Sequence, residues 1–411
     1  MTNNCRLCGS TQLHLFLNLG FTPPADGFLR VDQLREPETH YPLEVCQCVA
    51  CGFVQLNHVV SPEVLYRHDY PYESSITKAG QLHWKEFADT VSTKLGLGEK
   101  DLVIDIGSNV GVLLECFRNN GTRILGIDPA SNIVRIAEKR GIETWDEFFG
   151  AHVAPRVLAE KGKASAITGT NVFAHVDNLR EFVTTVESLL TDKGVFVFEA
   201  PHFGHLLEYL EYDTIYHEHL SYLSLKPLVP FFQSFGLEVF DVQERDIHGG
   251  SFRVYVARRG AYPVTPTVEK MLLWEQHAGL YDLAKLDLFS ARVEANRAEL
   301  TWLLHSLKRQ GKRIAGVSAP AKGMTLLNYC HIGPDLLDFV TEKSKLKIGR
   351  YTPGTHIPVV GDEELVRRKA DYALLLAWNF ADEIMNNLKE FVAQGGQFIV
   401  PVPKPRIVSK S

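Results

Sequence analysis

The stretch Leu102-Val-Ile-Asp105-Ile-Gly107-Ser-Asn109-Val-Gly111 limits the fold more than any other. An apolar run closes on an acid, turns through glycines and enters a helix expected over 112–118. A second apolar run, 123–128, also ends on an acid, and Asp128 lies 23 residues after Asp105. Further strand-like runs follow at 142–145, 164–170 and 195–200. Strand–helix alternation of this kind predicts an α/β fold with a parallel sheet and ligands at the carboxyl ends of its strands. Glycines at such an end let the backbone approach a ligand, and an acid closing the second strand can accept both hydroxyls of a ribose. Asp105, Gly107, Asn109, Gly111 and Asp128 are therefore candidate cofactor-binding residues, joined by Glu147 and Phe148 after the third strand. The turn lacks the full G-x-G-x-x-G spacing that cradles a pyrophosphate, although NAD remains a rival ligand.

At 411 residues the chain is too long for one core, so two or three domains are expected. Five of its seven cysteines precede residue 52. Cys5-Arg-Leu-Cys8 and Cys48-Val-Ala-Cys51 are each followed by a glycine, and four thiolates at this spacing suit tetrahedral Zn²⁺. Cys46 could replace Cys48, with a poorer spacing to Cys51. No carboxylate or open coordination position accompanies the four, so the zinc is expected to be structural. A zinc ribbon can also read nucleic acid, but few basic residues surround these cysteines. With a net charge of −6 and no basic run, nucleic-acid partners are not expected. No run of about 18 apolar residues predicts a membrane span, and the first residues carry no apolar signal core, so a cytoplasmic protein is expected.

Chemistry-bearing side chains concentrate in Glu211–Leu223, EYDTIYHEHLSYL. Tyr216, His217, Glu218 and His219 run consecutively. Neighbouring side chains diverge and no metal-ligand spacing is present, so acid–base work fits better than zinc binding. This segment follows the fifth strand and can fold back over the strand ends to meet His175, just past the fourth. His202, closing the fifth strand, and His248 are candidate substrate-binding residues. Tyr70-Pro-Tyr72 reads as a loop able to close over the same site.

Beyond residue 260 the pattern changes. Residues 267–309 read as two linking helices, with Trp274 and Trp302 as packing residues. A second, smaller α/β unit follows, with strands near 313–318, 336–343, 372–378 and 397–402. Lys322 and Arg350 fall on its glycine-rich turns, where a cation and backbone amides can hold a pyrophosphate.

The acid followed by G-S-N-x-G is similar to motif one of S-adenosylmethionine-dependent methyltransferases, whose ligand has no pyrophosphate. The combined pattern resembles the sugar C-methyltransferases that act on nucleotide-linked 4-keto-6-deoxyhexoses. Its parts are the two cysteine pairs, Tyr-Pro-Tyr, Asp105-Ile-Gly-Ser-Asn-Val-Gly, His175, Tyr216-x-Glu218-His219, His248-Gly-Gly-Ser251, Lys347-x-Gly349-Arg350-Tyr-x-Pro-Gly354 and Trp378-Asn379. The resemblance implies a zinc-binding domain over 1–68, a Rossmann-like methyltransferase domain over 69–260 and a Rossmann-like domain over 261–411 that holds part of the nucleotide sugar. It implies S-adenosylmethionine as methyl donor and a 4-keto sugar, dTDP-linked, as acceptor, methylated at C3 through an enolate. It also carries a site tyrosine to Tyr72, a site histidine to His175 and a Tyr-x-Glu-His set to Tyr216, Glu218 and His219. The rival readings are an O- or N-methyltransferase on a nucleotide sugar, which needs no enolate, and a non-catalytic zinc-ribbon binding protein.

Overall fold

The structure, a computed structural model, describes residues 4–67, 70, 71, 78–246 and 249–409; Tyr72 and His248 lie outside them. The strands form three sheets. The N-terminal sheet has four antiparallel strands, Leu13–Thr22, Tyr41–Cys48, Val54–Leu56 and Ser221–Tyr222. The last arrives from far downstream. Val54–Leu56 is buried throughout and has an open edge, which the segment leaving His219 covers.

The central sheet has seven strands. Leu102–Ile106 lies between Arg123–Asp128 and Ala164–Thr170; beyond them stand Thr144–Asp146 on one side and Leu190–Pro201 on the other. These five are parallel. The third begins two residues later than the sequence predicts, because Ile142 packs in the core before the strand starts. Two further strands, Leu237–Arg245 and Ser251–Arg258, extend the sheet, the latter antiparallel to both of its neighbours. Leu102–Ile106 is buried at every position, as a strand covered on both faces must be.

Helices Pro266–His277 and Leu283–Arg309 lead to the third sheet. Its order is Val359–Gly361, Val340–Glu342, Ile314–Val317, Tyr372–Leu375, Gln397–Val400 and Arg406–Val408, with the final strand antiparallel. Trp274 packs as expected, its ring 5.0 Å from that of His202. Trp302 does not: it is 67% exposed, on the outer side of the long helix.

Apolar packing joins the units. One cluster runs from Phe16 and Leu17 through Leu210, Tyr212 and Ile215 to Leu300 on the long helix and Leu374 in the third sheet. The segment bearing Tyr216–His219 is therefore held between the N-terminal sheet and the C-terminal unit, with His219 beside His175. Among the described residues no helix is long and apolar enough to cross a membrane.

Candidate active site and metal centre

The sulfur atoms of Cys5, Cys8, Cys48 and Cys51 all lie within 4.8 Å of one another. The closest pairs are Cys5–Cys51 at 3.7 Å and Cys8–Cys48 at 3.6 Å. Zn–S bonds of about 2.3 Å give a tetrahedron with edges near ~3.8 Å, so the four thiolates fit a zinc ion. Each pair is turned by its glycine: the Gly9 and Gly52 amides donate to the Cys5 and Cys48 carbonyls at 2.8 Å, both with positive φ. Cys46 is excluded from the set. Its thiol turns to the Gln55 carbonyl, and burial pushes it up to about 12. Sulfur fills all four positions, leaving the ion structural.

A cavity of about 380 Å³ opens at the carboxyl edge of the central sheet. Asp105, Gly107, Asn109, Asp128 and Phe148 line one part of it, and Tyr66, Tyr70 and His175 another. Gly107 has φ +64°, and a Cβ there would come within 2.5 Å of Val172. Asp128 is fixed by two backbone donors, the amides of Asn109 and Ala130, each at 2.9 Å. Burial nonetheless raises its carboxyl above the ordinary range, with those amides opposing. Asp105 is sealed deeper. It accepts from the Thr168 hydroxyl at 2.7 Å, and burial pushes it up to about 7.

Two residues predicted beside the cofactor turn elsewhere. Gly111 starts the helix Val112–Asn119, and a Cβ on it would meet Ile142 at 2.8 Å, so this glycine serves helix–sheet packing. Glu147 pairs with Arg156 at 2.8 Å, while its neighbour Phe148 faces the cavity.

The histidines meet as the sequence predicts. The His175 and His219 rings lie 5.0 Å apart, Tyr66 stacks on His175 at 6.1 Å, and Tyr216 lies 4.0 Å from His219. His219 Nδ1 is 2.8 Å from the Thr214 carbonyl. A carbonyl only accepts, so Nδ1 carries the proton and the neutral ring keeps Nε2 as its basic atom. His175 is enclosed, and its Nε2 has no hydrogen-bond partner among the described residues. Burial, aided by His219, holds its pKa well below the usual histidine value. Glu218 accepts from the Tyr70 hydroxyl at 3.2 Å. Burial, then Asp26, drives its carboxyl far above the ordinary range, which favours the neutral acid. His217 diverges from this group and packs edge-on to Tyr41 at 5.8 Å.

The expected substrate cations lie outside this cavity's lining. Lys322 sits 4.6 Å from the Trp378 ring, and its main electrostatic partners are Asp213 and Glu211. Arg350 is half-buried on the turn that pairs with Val359. His202 departs most from expectation. It is 1% exposed, its Nε2 meets Glu275 at 2.8 Å, and its Nδ1 accepts from the Gly204 amide at 3.0 Å. Both nitrogens are committed to holding the strand end and the next helix, leaving none for a substrate.

Tyr66 was not singled out by sequence; its one signal is its place on the short helix begun by Pro62, just ahead of Tyr70-Pro. A buried network beside the sheet also escaped: Glu199 binds His83 at 2.6 Å and Arg253 at 2.9 Å. Its members are scattered over more than 160 residues, with no local pattern to find them by.

Comparison with known proteins bears on these features. Residues 5–66 match the family described as "Putative zinc binding domain", residues 80–242 the family "Methyltransferase domain" and residues 246–403 the family "C-methyltransferase C-terminal domain". The C-methyltransferase NovU of Streptomyces niveus is 38% identical over 408 residues, covering 99% of this chain and 97% of its own. Among solved structures, an S-adenosylmethionine-dependent methyltransferase from Clostridium acetobutylicum is 14% identical, covering 44% of this chain and 92% of its own with a TM-score of 0.36. Magnesium protoporphyrin IX methyltransferase from Synechocystis, bound to S-adenosylhomocysteine, is also 14% identical, covering 46% and 90% with a TM-score of 0.34. With a methyltransferase sheet, a four-cysteine cluster and a relative matched along nearly its whole length, the chain belongs to the S-adenosylmethionine-dependent C-methyltransferase family.

Proposed function

We propose that the protein methylates C3 of a nucleotide-linked 4-keto-6-deoxy sugar, dTDP-linked, through an enolate. The observation that carries this reading is His175, which lines the cavity together with Gly107 and Asp128 and has the His219 ring 5.0 Å behind it. A C-methyltransferase must generate a carbon nucleophile, and a ketone acidifies the adjacent C–H by delocalising the carbanion onto oxygen. His219 takes the C3 proton at Nε2, its Nδ1 proton held by the Thr214 carbonyl. His175, Tyr216 and Tyr72 offer protons to the developing oxyanion. Glu218, as the neutral acid, orients the sugar hydroxyls. Asp128 holds the ribose of the donor, and Asp105, Gly107, Asn109 and Phe148 shape its pocket. Bound S-adenosylmethionine supplies an electrophilic methyl group. The C3–C bond forms as the methyl–sulfur bond breaks, giving S-adenosylhomocysteine. For the nucleotide end we propose Lys322, whose ammonium faces Asp213 and Glu211, together with Arg350.

The test is mass spectrometry of dTDP-, GDP- and CDP-linked 4-keto sugars incubated with the protein and S-adenosylmethionine. One sugar should gain a single methyl group. Without the donor, solvent deuterium should enter C3, which an O- or N-methyltransferase does not require. His219→Asn should abolish both methylation and exchange while leaving donor affinity near wild type. Retained exchange in that variant would remove His219 as the base and point to His175.

A further inference from the structure

Arg6 stands between two cysteines of the metal cluster, yet its side chain leaves the knuckle. Nη1 donates to the Val176 carbonyl at 2.9 Å, and Nη2 donates to the Leu220 carbonyl and to the Ser221 hydroxyl, the latter at 3.0 Å. Val176 directly follows His175, and Leu220 directly follows His219. One planar guanidinium therefore grips the residue after each of the two imidazoles. The other end of Arg6 is fixed as well. Its amide donates to Gln55 Oε1 at 2.8 Å, on the strand that Ser221–Tyr222 joins, and its chain path is set by Cys5 and Cys8.

The chemistry of the contact suits a spacer. A guanidinium presents donors in a rigid fork, which a lysine ammonium cannot imitate across two separate carbonyls. A guanidinium keeps its charge at neutral pH, so its bonds to both carbonyls are charge-assisted. Charge-assisted bonds in a buried setting are short and strong; losing them takes the guanidinium from the Val176 carbonyl, while the Leu220 carbonyl keeps the Leu56 amide at 3.0 Å. The His175 and His219 loops come from different elements. Their separation depends on what ties their backbones.

We propose that Arg6 is a positioning residue that transmits the geometry of the zinc cluster to the His175–His219 pair and so sets the spacing of the two imidazoles. The functional part of this inference rests on the roles proposed above for those histidines.

Full-length Arg6→Gln and Arg6→Lys decide the matter. Each is measured for zinc content, for S-adenosylmethionine affinity by calorimetry, for histidine ring NMR signals at fixed pH, and for turnover of dTDP-4-keto-6-deoxyglucose. The expectation for Arg6→Gln is a full complement of zinc and unchanged donor affinity. The His175 and His219 signals should move while those of His277 and His305 stay. Turnover should fall roughly 10–100-fold in kcat with little change in KM, the scale of an angstrom-sized misplacement. Arg6→Lys, which keeps the charge and one contact, should recover part of the loss; if Arg6→Gln does not fold, this variant alone carries the comparison. Unmoved His175 and His219 signals in zinc-loaded protein overturn the proposal, as does a loss of turnover that merely tracks loss of zinc. If the signals move but the wild type methylates no keto sugar, the positioning role stands and the proposed substrate falls.

Discussion

A carboxyl sealed at the end of a strand is harder to ionise in the folded chain than in water. Asp105 is such a group: burial, with the neighbouring Asp128 charge, pushes it up to about 7 against the partial opposition of Thr168. Its folded pKa is raised above the unfolded value, so the fold favours the protonated form. Stability from this group is present below pH 4, drains away as pH rises toward 7, and is level above. The full difference is on the order of 4 kcal/mol as an upper bound. Asp105→Asn removes the dependence and keeps an oxygen for the Thr168 hydroxyl. Urea unfolding of donor-free protein should therefore show the variant gaining on wild type between pH 4 and 7, with a constant gap beyond. Parallel pH profiles for the two would remove this account of Asp105. A carboxyl retained at such a disadvantage fits a site shaped for a ligand rather than for the empty fold.

The turn after Leu102–Ile106 shows how an element constrains its neighbour. Gly107 combines φ +64° with a Cβ approach of 2.5 Å to Val172, in the turn that leads to His175. Gly107→Ala should destabilise the protein by about 1–3 kcal/mol through strain and displacement of that turn. It should also weaken donor binding at least roughly tenfold, since the same turn lines the cavity. Gly121→Ala is the control: its φ is +91°, but nothing lies within 4 Å of the added carbon. Calorimetric titration of both variants with S-adenosylmethionine checks this; equal affinities would show that the Val172 contact does not matter. The features legible in the sequence were those with a short-range signature. The acid–glycine turn, the two cysteine pairs and the alternation of strands could all be read within a few dozen residues. The rest depends on distant partners. His202 looks like a site residue until Glu275, 73 positions on, claims it. The strand Ser221–Tyr222 is two residues long and has no period to detect. Arg6 reads as a filler between ligands because no local rule says where a buried guanidinium will reach.

The packing joins regions that a sequence divides. The cluster from Phe16 to Val402 passes through Tyr212 and Ile215, so the loop bearing His219 belongs to the cores of both outer units. Polar contacts repeat the arrangement: the Tyr212 hydroxyl donates to Asn296 at 2.8 Å, the Thr325 hydroxyl to the Ile215 carbonyl at 2.9 Å, and the Trp378 indole to Asp213 at 2.7 Å. Chains with several domains often unfold in steps. Here a shared core favours a single transition, because exposing either outer unit strips apolar cover from the other. Zinc should then act on the whole protein. Structural zinc is worth on the order of 10 kcal/mol in small domains, which over a chain of this length amounts to roughly 10 °C in midpoint. Differential scanning calorimetry with and without a chelator should show one endotherm that moves down as a unit. A small early transition appearing on chelation, with the main peak unmoved, would mean that the cysteine cluster supports only its own ribbon. In that case the His219 loop would owe its placement to the C-terminal unit alone, through Asn296, Thr325 and Trp378.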